Sequence, residues 1–110
     1  MATSKSFLEF VIEQLSELDE VSHRPMMGEY LVYYRGKLIG DICDDRLLVK
    51  ITKASDSLLP DAPRELPYDG AKTPMILIEN LDDREFLKRL LEAMYDELPA
   101  PKPKKPKANA

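Results

Sequence analysis

Apolar residues recur at three- and four-residue intervals near both ends of the chain, the spacing of amphipathic helices. The first such stretch begins at Ser6, which forms a Ser-x-x-Glu capping box with Glu9. Its apolar residues are Leu8, Val11, Ile12, Leu15 and Leu18. The second stretch covers residues 82–98, with Asp82 and Glu85 as its capping box. We therefore predict two long helices, each with one buried face.

Short apolar runs separated by turn-forming residues occupy the chain between these helices, which is the pattern of a β-meander. Gly36 supplies the positive φ that a tight hairpin needs, and Asp44 and Asp45 suit the next turn. The predicted strands cover residues 21–26, 30–34, 38–43, 46–51 and 75–79. Pro25 cannot donate a hydrogen bond to a neighbouring strand, so the first strand is predicted to lie at an edge or to be interrupted there.

The predicted order of elements is α-β-β-β-β-α-β-α, with a short helix over residues 53–59 and an extended proline-containing connection up to residue 68. This order predicts an α+β fold of two layers, in which an antiparallel sheet packs against the N- and C-terminal helices. Residues 1–98 are expected to form one domain. Residues 99–110 alternate proline and lysine without large apolar side chains, so we predict a disordered or polyproline-like tail.

The net charge of −4 is unevenly distributed along the chain. Residues 1–99 hold 12 Lys and Arg against 20 Asp and Glu, a balance of −8, which opposes broad contact with phosphate backbones. Nucleic-acid binding is therefore expected to be weak at most and confined to the tail. The basic residues of the tail are Lys102, Lys104, Lys105 and Lys107. Since neither a membrane span nor a secretory leader is recognisable, we predict a cytoplasmic protein without membrane contact.

The chain has only one histidine and one cysteine. His23 is the only histidine, and no serine or cysteine motif accompanies it. Cys43 precedes two aspartates whose charges would raise the pKa of its thiol, which predicts an inert, packed cysteine. Asp41, Asp44 and Asp45 lack the glycine and closing glutamate of a calcium loop. We expect no enzymatic activity, no metal, no cofactor and no evident small-molecule substrate.

The second and fourth strands carry large side chains on both of their faces. Tyr30 and Tyr34 share one face and Tyr33 points to the other, because side chains alternate along a strand. If the helices cover one face of the sheet, the other retains aromatic, apolar and basic groups, which suit a protein interface. Cover by the short helix or a loop is the alternative. The candidate interaction surface consists of Tyr30, Tyr33, Tyr34, Arg46 and Leu48, and its expected occupant is a partner protein or a second copy of the chain.

Four segments resemble the N-terminal domain of the TfoX/Sxy competence regulators in order and spacing. They are residues 24–28, 34–37, 44–50 and 66–68, and the resemblance extends over residues 6–98. The chain departs from the family at Met27 and Glu29, where Met-Phe-Gly-Gly is frequent, and at residues 47–50, where Leu-Tyr-Leu-Lys is frequent. The resemblance implies a two-layer α/β fold and a regulatory role in gene expression, and it brings no catalytic residue.

We therefore expect a small, non-enzymatic bacterial regulatory domain that acts by binding a protein partner or itself. One alternative is a transcription accessory that contacts DNA weakly through the lysine-rich tail. Another is a small-molecule-binding or catalytic domain, which would require a deep pocket with converging polar groups.

Overall fold

The structure is a computed structural model that describes residues 3–68 and 70–99. The helices are α1 (Lys5–Gln14), α2 (Lys53–Leu58) and α3 (Arg84–Tyr95). The strands are β1 (Val21–Met26), β2 (Glu29–Tyr34), β3 (Lys37–Cys43), β4 (Arg46–Val49), β5 (Arg64–Glu65) and β6 (Met75–Ile78). The predicted α+β fold is confirmed, and the two-residue strand β5 is added within the connection that was expected to be merely extended.

All six strands form one antiparallel sheet in the order β1-β2-β3-β4-β6-β5. The first four are neighbours in the order of the chain, so the predicted meander is confirmed. Strand β1 lies at one edge of the sheet, where Pro25 does not interrupt an interior ladder. The short strand β5 forms the other edge.

Each hairpin of the meander turns through two residues with positive φ, the combination that matches the natural twist of paired strands. The pairs are Met27 and Gly28 (φ 52° and 85°), Arg35 and Gly36 (52° and 83°), and Asp44 and Asp45 (51° and 55°). The predicted turns at Gly36 and at the two aspartates are confirmed. Met27 at the first turn was not expected to have a positive φ. Its side chain cannot form the local hydrogen bonds by which asparagine and aspartate offset the cost of this conformation.

Both long helices begin at a different residue from the one predicted. Ser4, not Ser6, caps α1, since its hydroxyl accepts a hydrogen bond from the backbone N–H of Phe7 at 3.2 Å. Ser4 is held there because its own N–H donates to the carboxylate of Asp45 at 2.8 Å. This bond joins residues far apart in the sequence, and local spacing therefore gives no sign of it.

Helix α3 is capped by Asp83 instead of Asp82, with the backbone N–H of Phe86 donating to its carboxylate at 3.0 Å. Two adjacent aspartates are equally capable caps, so the sequence left the choice open by one residue. The apolar pattern also continues past both helices. Leu18 and Leu98 lie in turns beyond the last helical residue and remain buried in the core.

The three helices cover one face of the sheet, which we call the helix face. Its apolar side chains form one cluster with the buried stripes of α1 and α3. The cluster includes Val11, Val32, Ile42, Leu47, Ile76, Leu87 and Leu90. Gln14 joins the two long helices, because its amide donates to the carbonyl of Leu81 at 2.6 Å and accepts from the guanidinium of Arg84 at 3.2 Å.

The register between β2 and β3 shifts between Val32 and Tyr33. Gly40 lies opposite Val32 at this shift, where a Cβ atom would collide with the backbone carbonyl oxygen of Leu48. Only glycine allows the strands to approach this closely. Because β3 carries the extra residue there, Ile39 joins Ile42 in the helix-face cluster. The alternate side chains of these strands lie on the face opposite the helices, where the candidate site is found.

Candidate binding site on the loop face

The five residues of the predicted interaction surface lie on both faces of the sheet. Tyr30 and Tyr34 face the helices, and the ring of Tyr34 packs edge-on against that of Tyr95 with centroids 5.5 Å apart. Arg46 and Leu48 belong to the opposite face, which also holds the half-buried Tyr33. Alternation fixes which side chains share a face within one strand, but the relation between strands depends on their register, which the sequence leaves open.

A covering loop, residues 66–68 and 70–74, lies over the face opposite the helices, which we call the loop face. Arg46 anchors the start of this loop, since its guanidinium donates to the carboxylate of Glu65 at 2.7 Å and to the carbonyl of Pro67 at 3.1 Å. The thiol of Cys43 donates to the same carbonyl at 2.9 Å. Loop cover, the alternative considered from the sequence, is therefore present over part of this face.

A cleft of about 940 Å³ separates the covering loop from β2, β3 and the end of β4. Its apolar walls come from Met26, Leu31, Leu38, Ile51 and Met75. Asp41 and Lys50 also line it. A smaller cleft of about 460 Å³ shares Pro67 and Tyr68 with the first and is lined by Glu29 and Arg46. The sequence did not reveal either cleft, because both depend on where the covering loop folds back.

Asp41 lies on the floor of the larger cleft with apolar neighbours on both adjacent strands, Leu31 and Leu48. It is only 7% exposed. The pKa of this carboxyl is raised to about 6, mainly by burial and also by the nearby charge of Glu29, while Lys50 acts in the opposite direction. No side-chain hydrogen bond within residues 3–68 and 70–99 reaches its carboxylate. Its carboxylate oxygens are not among the fully buried polar atoms without a partner, so they open to the cleft while most of the residue is buried. A carboxyl with so little access to water is a good acceptor for a donor in the cleft.

Lys50 follows β4 on the same face as Asp41. Asp41 pairs with Leu48 across the strands, and Lys50 lies two residues beyond Leu48, so the two charged residues are diagonal neighbours. Diagonal Cβ atoms on one sheet face lie about 7–8 Å apart. The two charged groups do not form an ion pair within 4.0 Å in the described part of the chain. They face the same cleft as separate, opposite charges.

Cys43 is buried, and its thiol pKa is raised to about 11. Burial is the main cause, Arg46 lowers the pKa, and Glu29 and Asp41 raise it. The expected packing of this cysteine is thus confirmed, and its low reactivity stays a prediction. The charges that act on its thiol are those of Arg46, Glu29 and Asp41 instead of the adjacent aspartates in the sequence. Its thiol serves the structure as a donor to the covering loop.

His23 lies on the exposed edge strand β1, with its ring 5.8 Å from the ring of Tyr30 on the helix side. It lines a shallow pocket against α1 instead of either cleft on the loop face. Within the described ranges, no group of three or more His, Cys, Asp or Glu residues is placed to hold a metal ion. The tail residues Lys102, Lys104, Lys105 and Lys107 lie outside the described residues.

Exposed apolar side chains surround the two clefts. They form an apolar rim that consists of Met26, Ile51, Leu66 and Tyr68. Met27, next to this rim at the tip of the first hairpin, is 97% exposed. Phe10 on α1 is the remaining large exposed apolar residue in the described part of the chain. The clefts are therefore the main place where this molecule presents apolar surface to solvent.

The profile of the TfoX N-terminal domain family matches residues 13–97. The chain belongs to this family. It is also 35% identical over 107 residues to a protein of Spirochaeta aurantia described as "Uncharacterized 12.7 kDa protein in trpE 5'region". The alignment covers 97% of this chain and 93% of that relative. No solved structure matches the chain.

The family match confirms the resemblance seen in the sequence for this TfoX N-terminal domain. None of its helices over residues 3–68 and 70–99 has the length and apolarity needed to cross a membrane. The two residues that distinguish the cleft, Asp41 and Lys50, received no binding role from the sequence. A usable signal existed, since Asp41 is the one acidic residue within the otherwise apolar stretch 38–43.

Proposed function

We propose that this TfoX N-terminal domain is a non-enzymatic regulatory protein that acts by binding another protein through the apolar rim. The observation that carries the proposal is the position of the exposed apolar side chains. Four of the six large ones in the described residues surround the clefts of the loop face. Clustered exposed apolar surface is typical of interaction sites, whereas isolated exposed apolar residues are ordinary.

The composition of the rim suits protein contact. Met26 is flexible and polarisable, so it adapts to the shape of a partner, and Tyr68 offers a large side chain with a polar end. Tyrosine is among the residues that most often dominate interface energies. The family membership supports a regulatory role, since the competence regulators that the sequence resembles act on gene expression through other proteins.

A matched pair of variants tests this proposal. The double variant Leu66→Ser and Tyr68→Ser removes two rim residues, and Phe10→Ser removes exposed apolar surface on α1. Proteins retained from a lysate of the source cells by the full chain should be retained at least about tenfold less by the double variant and unchanged by Phe10→Ser. Identical retention by all three chains would contradict binding through the rim.

Self-association is a second candidate, favoured by the exposure of β1 at the edge of the sheet. Leu48 is completely buried, so Leu48→Glu would report on folding instead of association. Tyr33→Glu and Met26→Glu change accessible positions. Light scattering over a wide concentration range should detect a dimer that one of these variants dissociates, and a monomer at every concentration would exclude it.

DNA contact through the tail is the remaining alternative carried over from the sequence. It predicts DNA retention that falls with salt and is lost when residues 100–110 are removed. The acidic balance of residues 1–99 argues against a wider DNA-binding surface.

A further inference from the structure

The floor of the larger cleft presents two opposite charges that do not neutralise each other. Asp41 and Lys50 are diagonal neighbours on the loop face, both line the cleft, and they form no ion pair within 4.0 Å in the described residues. Long side chains such as lysine can normally reach a diagonal neighbour on a sheet. The carboxylate and the ammonium group thus face the cleft without contacting each other.

Each of these charges is available to a complementary group in the cleft. Asp41 is more than nine-tenths buried, its oxygens open to the cleft, and it receives no side-chain hydrogen bond from the described residues, so an ammonium group could donate to it. Lys50 can donate to a carboxylate, and Lys72 of the covering loop lines the same cleft with a second positive charge. A single molecule that carries an ammonium group and a carboxylate on the same carbon atom would offer one group to Asp41 and the other to Lys50.

The rest of the cleft indicates what else that molecule carries. Leu31, Leu38 and Met75 present apolar walls next to the two charges. The volume of about 940 Å³ lies within the range of sites that bind small molecules, which are mostly apolar with a few polar groups that fix orientation. An apolar side chain on the ligand would bury surface against these walls.

We propose that the cleft binds a free α-amino acid with an apolar side chain, whose ammonium group contacts Asp41 and whose carboxylate contacts Lys50. This inference goes beyond the proposed function and does not depend on it. The amino acid occupies the floor of the cleft, whereas the partner protein contacts the rim.

The test uses the purified full chain and compares complete amino acids with analogues that lack one charge. L-leucine and L-phenylalanine are the complete probes, 3-methylbutylamine lacks the carboxylate, and 4-methylpentanoate lacks the ammonium group. Calorimetry and backbone amide NMR should show saturable binding of at least one amino acid with a dissociation constant below about 1 mM. Each analogue should bind at least about tenfold more weakly, since it leaves one charge of the site without a partner.

Variants of the chain locate the site. Asp41→Asn and Lys50→Gln should each weaken amino-acid binding at least about tenfold, whereas the exposed substitutions Asp61→Asn and Lys53→Gln should leave it unchanged. Amide shifts in the wild-type chain should centre on β3, β4 and Met75 and spare α1 and α3. The amide spectrum of each variant shows whether it is folded.

Three results would overturn the inference: no saturation by either amino acid up to about 10 mM, equal affinity for the amino acids and their analogues, or unchanged affinity in both cleft variants. None of these results bears on the capture experiment with the rim variants. Failure of the amino-acid site and failure of the proposed function are therefore distinguishable.

Discussion

On the helix face, apolar residues from α1, α3 and four strands close into one buried cluster. On the loop face of the same strands, the buried cluster comprises only Cys43, Leu48 and Met75, and polar atoms lie among the apolar ones. Glu29 Oε1 and Arg46 Nε on this side are buried without a hydrogen-bond partner in the described part of the chain, and Asp41 is a buried carboxylate. On the helix face the buried cluster is therefore apolar and aromatic, whereas on the loop face charged groups lie among the apolar side chains.

This difference indicates that the two faces of the sheet contribute unequally to the stability of the protein. A chain selected only for stability has no use for a carboxylate on the floor of an apolar cleft, because an apolar residue of similar size would remove the cost of burying it. Unsatisfied polar groups in native proteins concentrate where a ligand or partner supplies what is missing. We therefore expect the helix face to contribute most of the stability, and the binding sites that we propose lie on the loop face.

Truncation of one buried side chain on each face should give the largest difference between the faces, measured as loss of the free energy of unfolding. Leu90→Ala lies in the closed helix-face cluster and is expected to lower the free energy of unfolding by about 3–5 kcal/mol. Met75→Ala lies at the wall of the open cleft, where solvent can fill the space, and should cost about 2 kcal/mol, at the low end for a buried methionine. Urea denaturation measures both, and equal losses would contradict the difference between the faces.

The hairpin at Gly36 belongs to neither face, so a change there should destabilise the fold without altering the cleft. Gly36→Val forces a β-branched residue to φ 83° and should cost about 1–3 kcal/mol. The denaturation midpoint should fall at an unchanged slope. A midpoint equal to that of the wild type would mean that the turn tolerates this residue and that the assigned backbone conformation is wrong.

Removal of the charge at Asp41 should stabilise the protein, which is the opposite of the usual effect of a mutation. The folded-state pKa of about 6 lies above the ordinary value of 3.8, so protonated Asp41 stabilises the folded state relative to the ionised form. This stabilisation is fully present below about pH 4 and is lost as the pH rises through 6. Asp41→Asn should therefore raise the free energy of unfolding by about 2–3 kcal/mol at pH 7.5 and by less than about 1 kcal/mol at pH 4. The exposed Asp61→Asn is the control, and a loss of stability in Asp41→Asn at pH 7.5 would contradict a buried, unpaired charge.

The tail should contribute to neither face. Residues 100–110 contain only proline, lysine, alanine and asparagine, which cannot form a core, and they lie outside the described residues. A chain cut after Pro99 is expected to unfold within about 1 °C of the full chain. A loss of several degrees in calorimetry would indicate that the tail packs on the domain.

Local chemistry explains which of these features the sequence could predict. The strands around Gly36 and the Asp44-Asp45 turn followed from backbone preferences that act within a few residues. The cap at Ser4 depends on a hydrogen bond to Asp45, and the cleft depends on a loop anchored by Arg46. Contacts between distant segments decide both, and no short-range pattern encodes them.

The separation of Tyr30 and Tyr34 from Arg46 and Leu48 has the same cause. Alternation correctly predicted that the two tyrosines share a face and that Arg46 and Leu48 share a face. Whether these two pairs lie on the same face depends on the register between the strands and on the side covered by the helices. Asp41 was the informative exception in the sequence, since an acidic residue inside an apolar strand is either paired or functional.

Titration of the Asp41 carboxyl carbon by NMR tests the distinction between the two faces most directly. With selective ¹³C labelling of aspartate and Asp41→Asn to assign the resonance, the side chain of Asp41 should titrate with a pKa of about 6, above the ordinary value of 3.8. Saturation with an amino acid that occupies the cleft should lower this pKa, because an ammonium group favours the charged carboxylate. A value of about 4 in the free protein would show that Asp41 is solvated or already paired, and would contradict an unsatisfied binding site on the loop face.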